Sequence, residues 1–158
     1  MKILVTGRDG QVARSLAQQG AGRDLVFAGR PEFDLADGDS IARTIAQVHP
    51  DLVISAAAYT AVDQAEDEPD LAMAINGEAP GVIGRAAAAI GAPVIHLSTD
   101  YVFDGSGNHP WREDDPTQPI GVYGKSKLAG ERALAASGAS YAIVRSAWIY
   151  SPFGNNFV

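Results

Sequence analysis

No cysteine occurs among the 158 residues, which removes disulfide scaffolds, zinc ribbons, iron–sulfur centres and thiol nucleophiles from consideration. Basic charge is also short: 12 Lys plus Arg stand against 19 Asp plus Glu, a formal net charge of −7. A nucleic-acid surface built on general basic charge does not fit that balance. Long hydrophobic runs are missing too. Gly, Pro or a charge interrupts each apolar stretch before the roughly 18 residues that a bilayer span requires. Ile3-Leu4-Val5 behind Met1-Lys2 is too short for a signal-peptide core. A cytoplasmic protein with neither membrane nor nucleic acid as partner is the expectation. What is present, 46% apolar and 20% charged residues with 17 Gly and 9 Pro, describes one globular domain over 1–158 with enough interior to fold unaided.

Short apolar runs alternate with longer Ala-rich stretches of helical spacing. The runs at 3–5, 25–28, 52–54, 94–97 and 141–144 carry no polar alternation, as expected of parallel strands covered on both faces. Helices are predicted at about 11–19, 40–48, 70–90 and 124–136. The order predicts an α/β fold, a Rossmann-type doubly wound parallel sheet. Asp39 or Ser40 is the candidate cap of the second helix, and Glu68-Pro69-Asp70 opens the third. Pro80 should kink that helix or break it near Gly77. Gly20, Gly91 and Gly138 read as helix stops. The irregular stretch from Asp104 to Gln118 has the character of a binding loop. The acidic run from Asp63 to Asp70 reads as a solvated approach to a helix. His49, His96 and His109 lack ligand spacing, so no catalytic or metal-binding histidine is expected.

The first strand runs into Thr6-Gly7-Arg8-Asp9-Gly10-Gln11-Val12-Ala13. Glycines there let a backbone approach a ligand, and the following helix offers free N–H groups and a positive dipole end to a pyrophosphate. The same spacing also serves any tight strand-to-helix turn. The second strand ends about 20 residues later at Ala28-Gly29-Arg30, without the usual ribose-binding carboxylate. Arg30 can pair with a 2′-phosphate, which leans toward NADPH with NADH as the alternative, or it is a solvated loop cation.

Tyr123 and Lys127 are four residues apart at the opening of a predicted helix, with Cβ atoms about 5–6 Å apart on one face. A nearby ammonium favours tyrosinate: at about 4 Å and an effective dielectric of about 20 the attraction is about 4 kcal/mol, or about 3 pKa units. That shift would suit general acid catalysis, although Y-x-x-x-K also starts ordinary amphipathic helices. Ser98-Thr99-Asp100-Tyr101-Val102-Phe103-Asp104-Gly105 follows the fourth apolar run and places hydroxyls at a strand end, in the crevice where open parallel sheets bind ligands.

The chain resembles the extended short-chain dehydrogenase/reductase family, in the branch that makes dTDP-L-rhamnose by reducing the C4 ketone of a deoxythymidine-diphosphate sugar. The matching segments are 7–13, 51–63, 98–105, 123–131 and 145–150, followed by Gly154, Asn155, Asn156, Phe157 and Val158. The resemblance implies that NADPH gives a hydride while Tyr123 protonates the developing alkoxide. Lys127 would hold the nicotinamide ribose and lower the tyrosine pKa, and Thr99 would hydrogen-bond the substrate oxygen. Gly7 belongs to the fingerprint, Gly10, Gln11 and Val12 would meet the pyrophosphate, Asp34 and Leu35 the adenine side, and Ala58, Tyr59 and Thr60 the inner cofactor. Asp100 and Trp148 carry over as contacts to the nucleotide-sugar substrate, though a lone Trp after a strand also serves packing.

Ala13 replaces the third glycine of the fingerprint, a small residue that still permits close helix packing. Ser15 stands where some members place an acidic metal ligand, which argues against a structural Mg²⁺ at a dimer contact. A homodimer remains one of the open assemblies. Members run to about twice this length, so the sequence is expected to stop before the C-terminal substrate-binding portion and to turn over sugar poorly. Another nucleotide-sugar reductase or epimerase, or a non-catalytic reductase-like subunit, are the alternative readings.

Overall fold

The structure, a computed structural model, describes residues 1–154 and 156; Asn155, Phe157 and Val158 of the last motif lie outside the described residues. Five strands, β1 (Lys2–Thr6), β2 (Asp24–Ala28), β3 (Leu52–Ser55), β4 (Val94–Thr99) and β5 (Tyr141–Ser146), contain the five apolar runs. All neighbours pair in parallel in the order β2-β1-β3-β4-β5. The chain therefore winds outward in both directions from β1 and β3, the doubly wound arrangement expected. An open parallel sheet of this kind leaves a crevice at the C-terminal ends of the two strands where the order reverses.

Helices α1 (Gln11–Gln19), α2 (Gly38–Val48), α3 (Pro69–Ala72), α4 (Ala79–Ala89) and α5 (Val122–Ala135) cover the sheet. On one face Leu4, Val53 and Val94 share a core with Ile41 and Ile45 of α2, Ile83 of α4 and Leu134 of α5. On the other, Ile3 and Val5 meet Ala13 and Leu16 of α1. Strand residues thus bury both alternate sets of side chains, which explains their lack of polar alternation. At the outer edge, β5 leaves Tyr141 and Val144 exposed. No described helix is long and apolar enough to cross a membrane.

Two local details, the cap of α2 and the role of the acidic run, differ from the expectation, and a third, the break of the long third helix near Gly77, meets it. Asp37, rather than Asp39 or Ser40, caps α2, its carboxylate accepting the N–H groups of Asp39 at 3.0 Å and Ser40 at 3.2 Å. The Ser40 hydroxyl turns back to the carbonyls of Asp34 and Asp37 instead. The long third helix divides into α3, a π-helical turn over Met73–Glu78, and α4. Pro80 then falls in the first turn of α4, where its missing N–H is not needed. The acidic run is not merely solvated: Glu66 Oε1 accepts the Val122 N–H at 2.7 Å, supplying from a distant segment the N-terminal bond that Gly121 has no side chain to make.

Helix α5 lies close against the π-helical turn because its facing residues are small. A Cβ on Gly130 would run into the Asn76 carbonyl oxygen, and one on Gly124 into that of Tyr101. Overpacking of this kind costs about 1–3 kcal/mol. Gly130→Ala is accordingly expected to lower the urea-unfolding free energy by about 2 kcal/mol.

Candidate functional site

The crevice is organised by the end of β1. Thr6 is fully buried, and its hydroxyl oxygen accepts the N–H groups of Ala56 and Ala57 at 3.0 Å each. That pair of bonds pins the segment after β3 to the switch point. Gly7 follows at φ +92°, with Ala57 so near that a Cβ would press upon it. Gly10 precedes α1 with extended backbone and no capping side chain, so the first N–H groups of α1 stand beside the cleft without a side-chain cap.

The cleft has a volume of about 980 Å³. Gly7, Gly10, Gln11 and Val12 form its floor, Arg30, Asp34 and Leu35 line it beyond β2, Ala58, Tyr59 and Thr60 line it beyond β3, and Tyr123 and Lys127 close it from α5. These twelve residues, collected from four separate stretches of sequence, are the residues that could hold a dinucleotide. Arg30 is exposed, while its neighbour at the rim, Arg8, pairs with Glu32 at 2.9 Å. Asp34 Oδ1 accepts the Ala36 N–H at 2.9 Å. Among the described residues no group of three His, Asp or Glu could hold a metal ion.

Tyr123 lies in the first turn of α5, its ring edge-on to Tyr101 with centroids 5.6 Å apart. Burial raises its pKa above the ordinary tyrosine value, and the nearby Thr99 side chain opposes the rise. The expected lowering by Lys127 is not what the geometry gives. The Lys127 ammonium is drawn to the sheet instead, donating to the Leu97 carbonyl at 2.7 Å and lying 3.5 Å from His96 Nε2. Lys127 is 2% exposed, and burial brings its own pKa down to about 8, with Glu131 opposing. The phenol is thus kept protonated by its surroundings, in the form that can give a proton.

Thr99 is buried and its hydroxyl donates to Asp100 Oδ1 at 3.1 Å. It reaches the site through Tyr123; neither Thr99 nor Asp100 forms the cleft wall, which at this end of β4 is Leu97 and Ser98. Trp148 is 76% exposed at φ +55° and also stands outside the wall. Its neighbour Ile149 lines the cleft, as does Gly154.

Several residues that shape the site escape the motif reading. Asn76, buried in the π-helical turn, accepts the Tyr59 N–H at 2.9 Å and donates to the Tyr59 carbonyl at 3.0 Å and to the Ser126 hydroxyl at 3.1 Å. Ser126 in turn donates to the Tyr123 carbonyl at 2.8 Å. Tyr59 is further fixed by donating to Glu68 Oε2 at 2.6 Å, a bond that pushes its pKa up to about 12. Beyond Lys127, Glu131 accepts from Ser98 and takes Arg145 in a bidentate pair at 3.0 and 2.7 Å. The one available signal was polarity where the pattern demanded apolar residues: Asn76 inside a helix, His96 inside a strand.

Comparison with known proteins matches the family described as RmlD substrate binding domain over residues 1–158. A dTDP-4-dehydrorhamnose reductase of Sinorhizobium fredii is 49% identical over 159 residues, covering 100% of this chain and 54% of the relative. The Escherichia coli K12 reductase of the same name is 44% identical over 162 residues, covering 99% and 54%. Among solved structures, a dTDP-4-dehydrorhamnose reductase from Clostridium acetobutylicum superposes with a TM-score of 0.95 at 40% identity, over 99% of this chain and 56% of that one. One from Bacillus anthracis, in complex with NADP, gives 0.94 at 35% identity, over 99% and 57%. The chain spans about half the length of the curated relatives it matches.

His96 links this site to acid stability. Burial, then the Lys127 charge, bring its pKa from 6.5 down to about 3, so its contribution is intact above pH 6.5 and is lost as pH falls toward 3. Between pH 6.5 and pH 4 the loss is about 3 kcal/mol. His96→Gln cannot titrate, and the difference in unfolding free energy between wild type and this variant should change by about that amount from pH 7 to pH 4 in urea melts.

Proposed function

The chain belongs to the RmlD substrate binding domain family, and from that premise we propose that it is the cofactor-holding and proton-donating part of an NADPH-dependent dTDP-4-dehydrorhamnose reductase. The observation that carries the reading is convergence: a glycine turn with an uncapped helix start, Arg30 and the Tyr123–Lys127 pair border one cleft at the sheet's switch point. The backbone fits a dinucleotide. Gly7 at positive φ lets the turn lie against Ala57, and nothing lies within 4 Å of the position a Cβ would take on Gly10, so a pyrophosphate could reach the N–H groups of α1.

When bound there, NADPH supplies the hydride. The chain's own residues do the rest. Gly10, Gln11 and Val12 take the pyrophosphate, Asp34 and Leu35 flank the adenine, and Ala58, Tyr59 and Thr60 border the inner half of the cofactor. Arg30 meets the 2′-phosphate. Tyr123 gives its phenolic proton to the C4 oxygen as negative charge develops on it, while Thr99, beside Tyr123, turns its hydroxyl proton from Asp100 Oδ1 to that oxygen. The phenol is neutral at neutral pH, as a reduction needs at its start, and the burial that raises its pKa makes it a weaker acid, which opposes the transfer rather than aiding it. Lys127 holds the nicotinamide ribose. Asp100 and Trp148 contact the sugar nucleotide from outside the cleft wall.

Two measurements test this. In equilibrium titrations Arg30→Ala should weaken NADPH binding about tenfold or more while leaving NADH unchanged, since a charge-assisted bond contributes about 1.5–3 kcal/mol; an unaltered NADPH to NADH ratio removes the 2′-phosphate assignment. In assays of NADPH oxidation with dTDP-4-dehydrorhamnose, Tyr123→Phe should keep cofactor affinity and lower kcat/KM by about 10² or more. Undiminished turnover by that variant would falsify the proton-donor role, and consumption with a different 4-keto sugar alone would reassign the substrate.

A further inference from the structure

We propose that His96 is a positioning residue for Lys127: a neutral imidazole on β4, fixed in one tautomer, that holds the ammonium of α5 at the sheet so that it faces the cleft in a single orientation. The argument is one of donors and acceptors. An ammonium has three N–H donors and no acceptor. Lys127 Nζ gives one to the Leu97 carbonyl at 2.7 Å and approaches His96 Nε2 at 3.5 Å, so Nε2 has to present a lone pair. The proton of the imidazole then resides on Nδ1, which lies 3.0 Å from the Ser55 hydroxyl. Ser55 and His96 are paired neighbours in the β3–β4 register, and both are buried. The line Ser55, His96, Lys127 thus crosses from β3 through β4 to α5, leaving the third N–H of Lys127 for the cleft it lines.

Protonating His96 would set two positive charges side by side with little water between them. Burial and the Lys127 charge both oppose it. The other charged and titratable groups around the ammonium are Glu131 and Tyr123 on α5 itself, Arg145 of β5, paired with Glu131 at 2.7 Å, and Asp100 in the turn after β4, which acts on Tyr123. Glu131 favours the charged amine, but its oxygens already take Arg145 and Ser98. His96 is the remaining side chain placed to offer the ammonium a lone pair, and a neutral acceptor there counteracts burial where an imidazolium would add to it.

The proposal rests on the reductase reading only for what the ammonium serves; the imidazole state can be measured without it. In ¹⁵N-histidine-labelled protein, two-bond nitrogen–proton spectra from pH 6 to pH 8 should show His96 with Nδ1 protonated and Nε2 bare, distinct from the exposed His49 and His109. An Nε2–H tautomer, or an imidazolium at pH 6, overturns the proposal. The chain has three lysines, Lys2, Lys125 and Lys127, so ¹³Cε titration resolves the amine directly. Lys127 should titrate near 8 in wild type. His96→Gln, whose amide oxygen can accept in place of Nε2, should stay near that midpoint and near wild-type NADPH affinity. His96→Leu, similar in bulk but without an acceptor, should reduce proton affinity at Lys127 about tenfold and weaken NADPH binding severalfold at pH 7. A Leu variant with an unchanged Lys127 midpoint, or a Gln variant displaced as far as Leu, overturns it. If the Leu variant does not fold, the wild-type tautomer and the Gln titration decide. Absence of NADPH binding by wild type, with the tautomer and midpoints as stated, would count against the reductase reading and leave the placement of Lys127 standing.

Discussion

An ammonium brought out of water costs free energy unless it is partnered, and the architecture around Lys127 supplies its partners. Lys127 can lie at the sheet only if α5 comes close enough for its side chain to find the Leu97 carbonyl and His96. That approach depends on the small residues facing the π-helical turn and the segment after β4, Gly130 and Gly124 above all. It also depends on a correct start for α5, which has no cap of its own and takes one from Glu66. A buried charge without such partners would neutralise or draw in water. With them, it remains a charge whose proton affinity is reduced but not abolished.

The same proximity explains why the tyrosine does not behave as a simple two-residue motif predicts. Four residues on a helix place Tyr123 and Lys127 on one face, but the face says nothing of where each side chain ends. Tyr123 turns toward Tyr101 and Thr99, Lys127 toward β4. The pair borders one cleft while each member answers to a different neighbourhood. Burial sets the phenol; the strand sets the amine.

Much of this was legible in the sequence because periodicity reports burial directly. The unalternated runs of β1 to β5 gave the parallel sheet, and Gly7 to Val12 marked the switch-point turn, since backbone needs at a tight turn are local. Pro80 likewise announced the interruption of the third helix. Asn76, His96 and Glu66 were illegible for one common reason: each acts on a residue at least 17 positions away, Asn76 on Tyr59, His96 on Lys127 and Glu66 on Val122. Pattern along the chain records that such residues are out of place without recording what they touch. Arg8 and Glu32 were hidden similarly, because their pairing across the rim exists only once β1 and β2 lie side by side.

The bonds of Asn76 carry one more implication. They tie the segment after β3 to the start of α5 through Tyr59 and Ser126, and Glu66 adds a second tie at Val122. That side of the cleft is therefore cross-braced by side-chain bonds between segments distant in sequence, of which the bond between Asn76 and Ser126 is buried. The opposing side carries exposed Arg8, Arg30 and Glu32 and is held by bonds between residues near in sequence, Phe33 N–H to the Gly29 carbonyl and Asp34 N–H to the Ser40 hydroxyl, with the Arg8–Glu32 pair at its rim. The phenol and the amine thus stand on the side whose segments, distant in sequence, are tied to one another, so their aim is set by tertiary bonds rather than by a local turn.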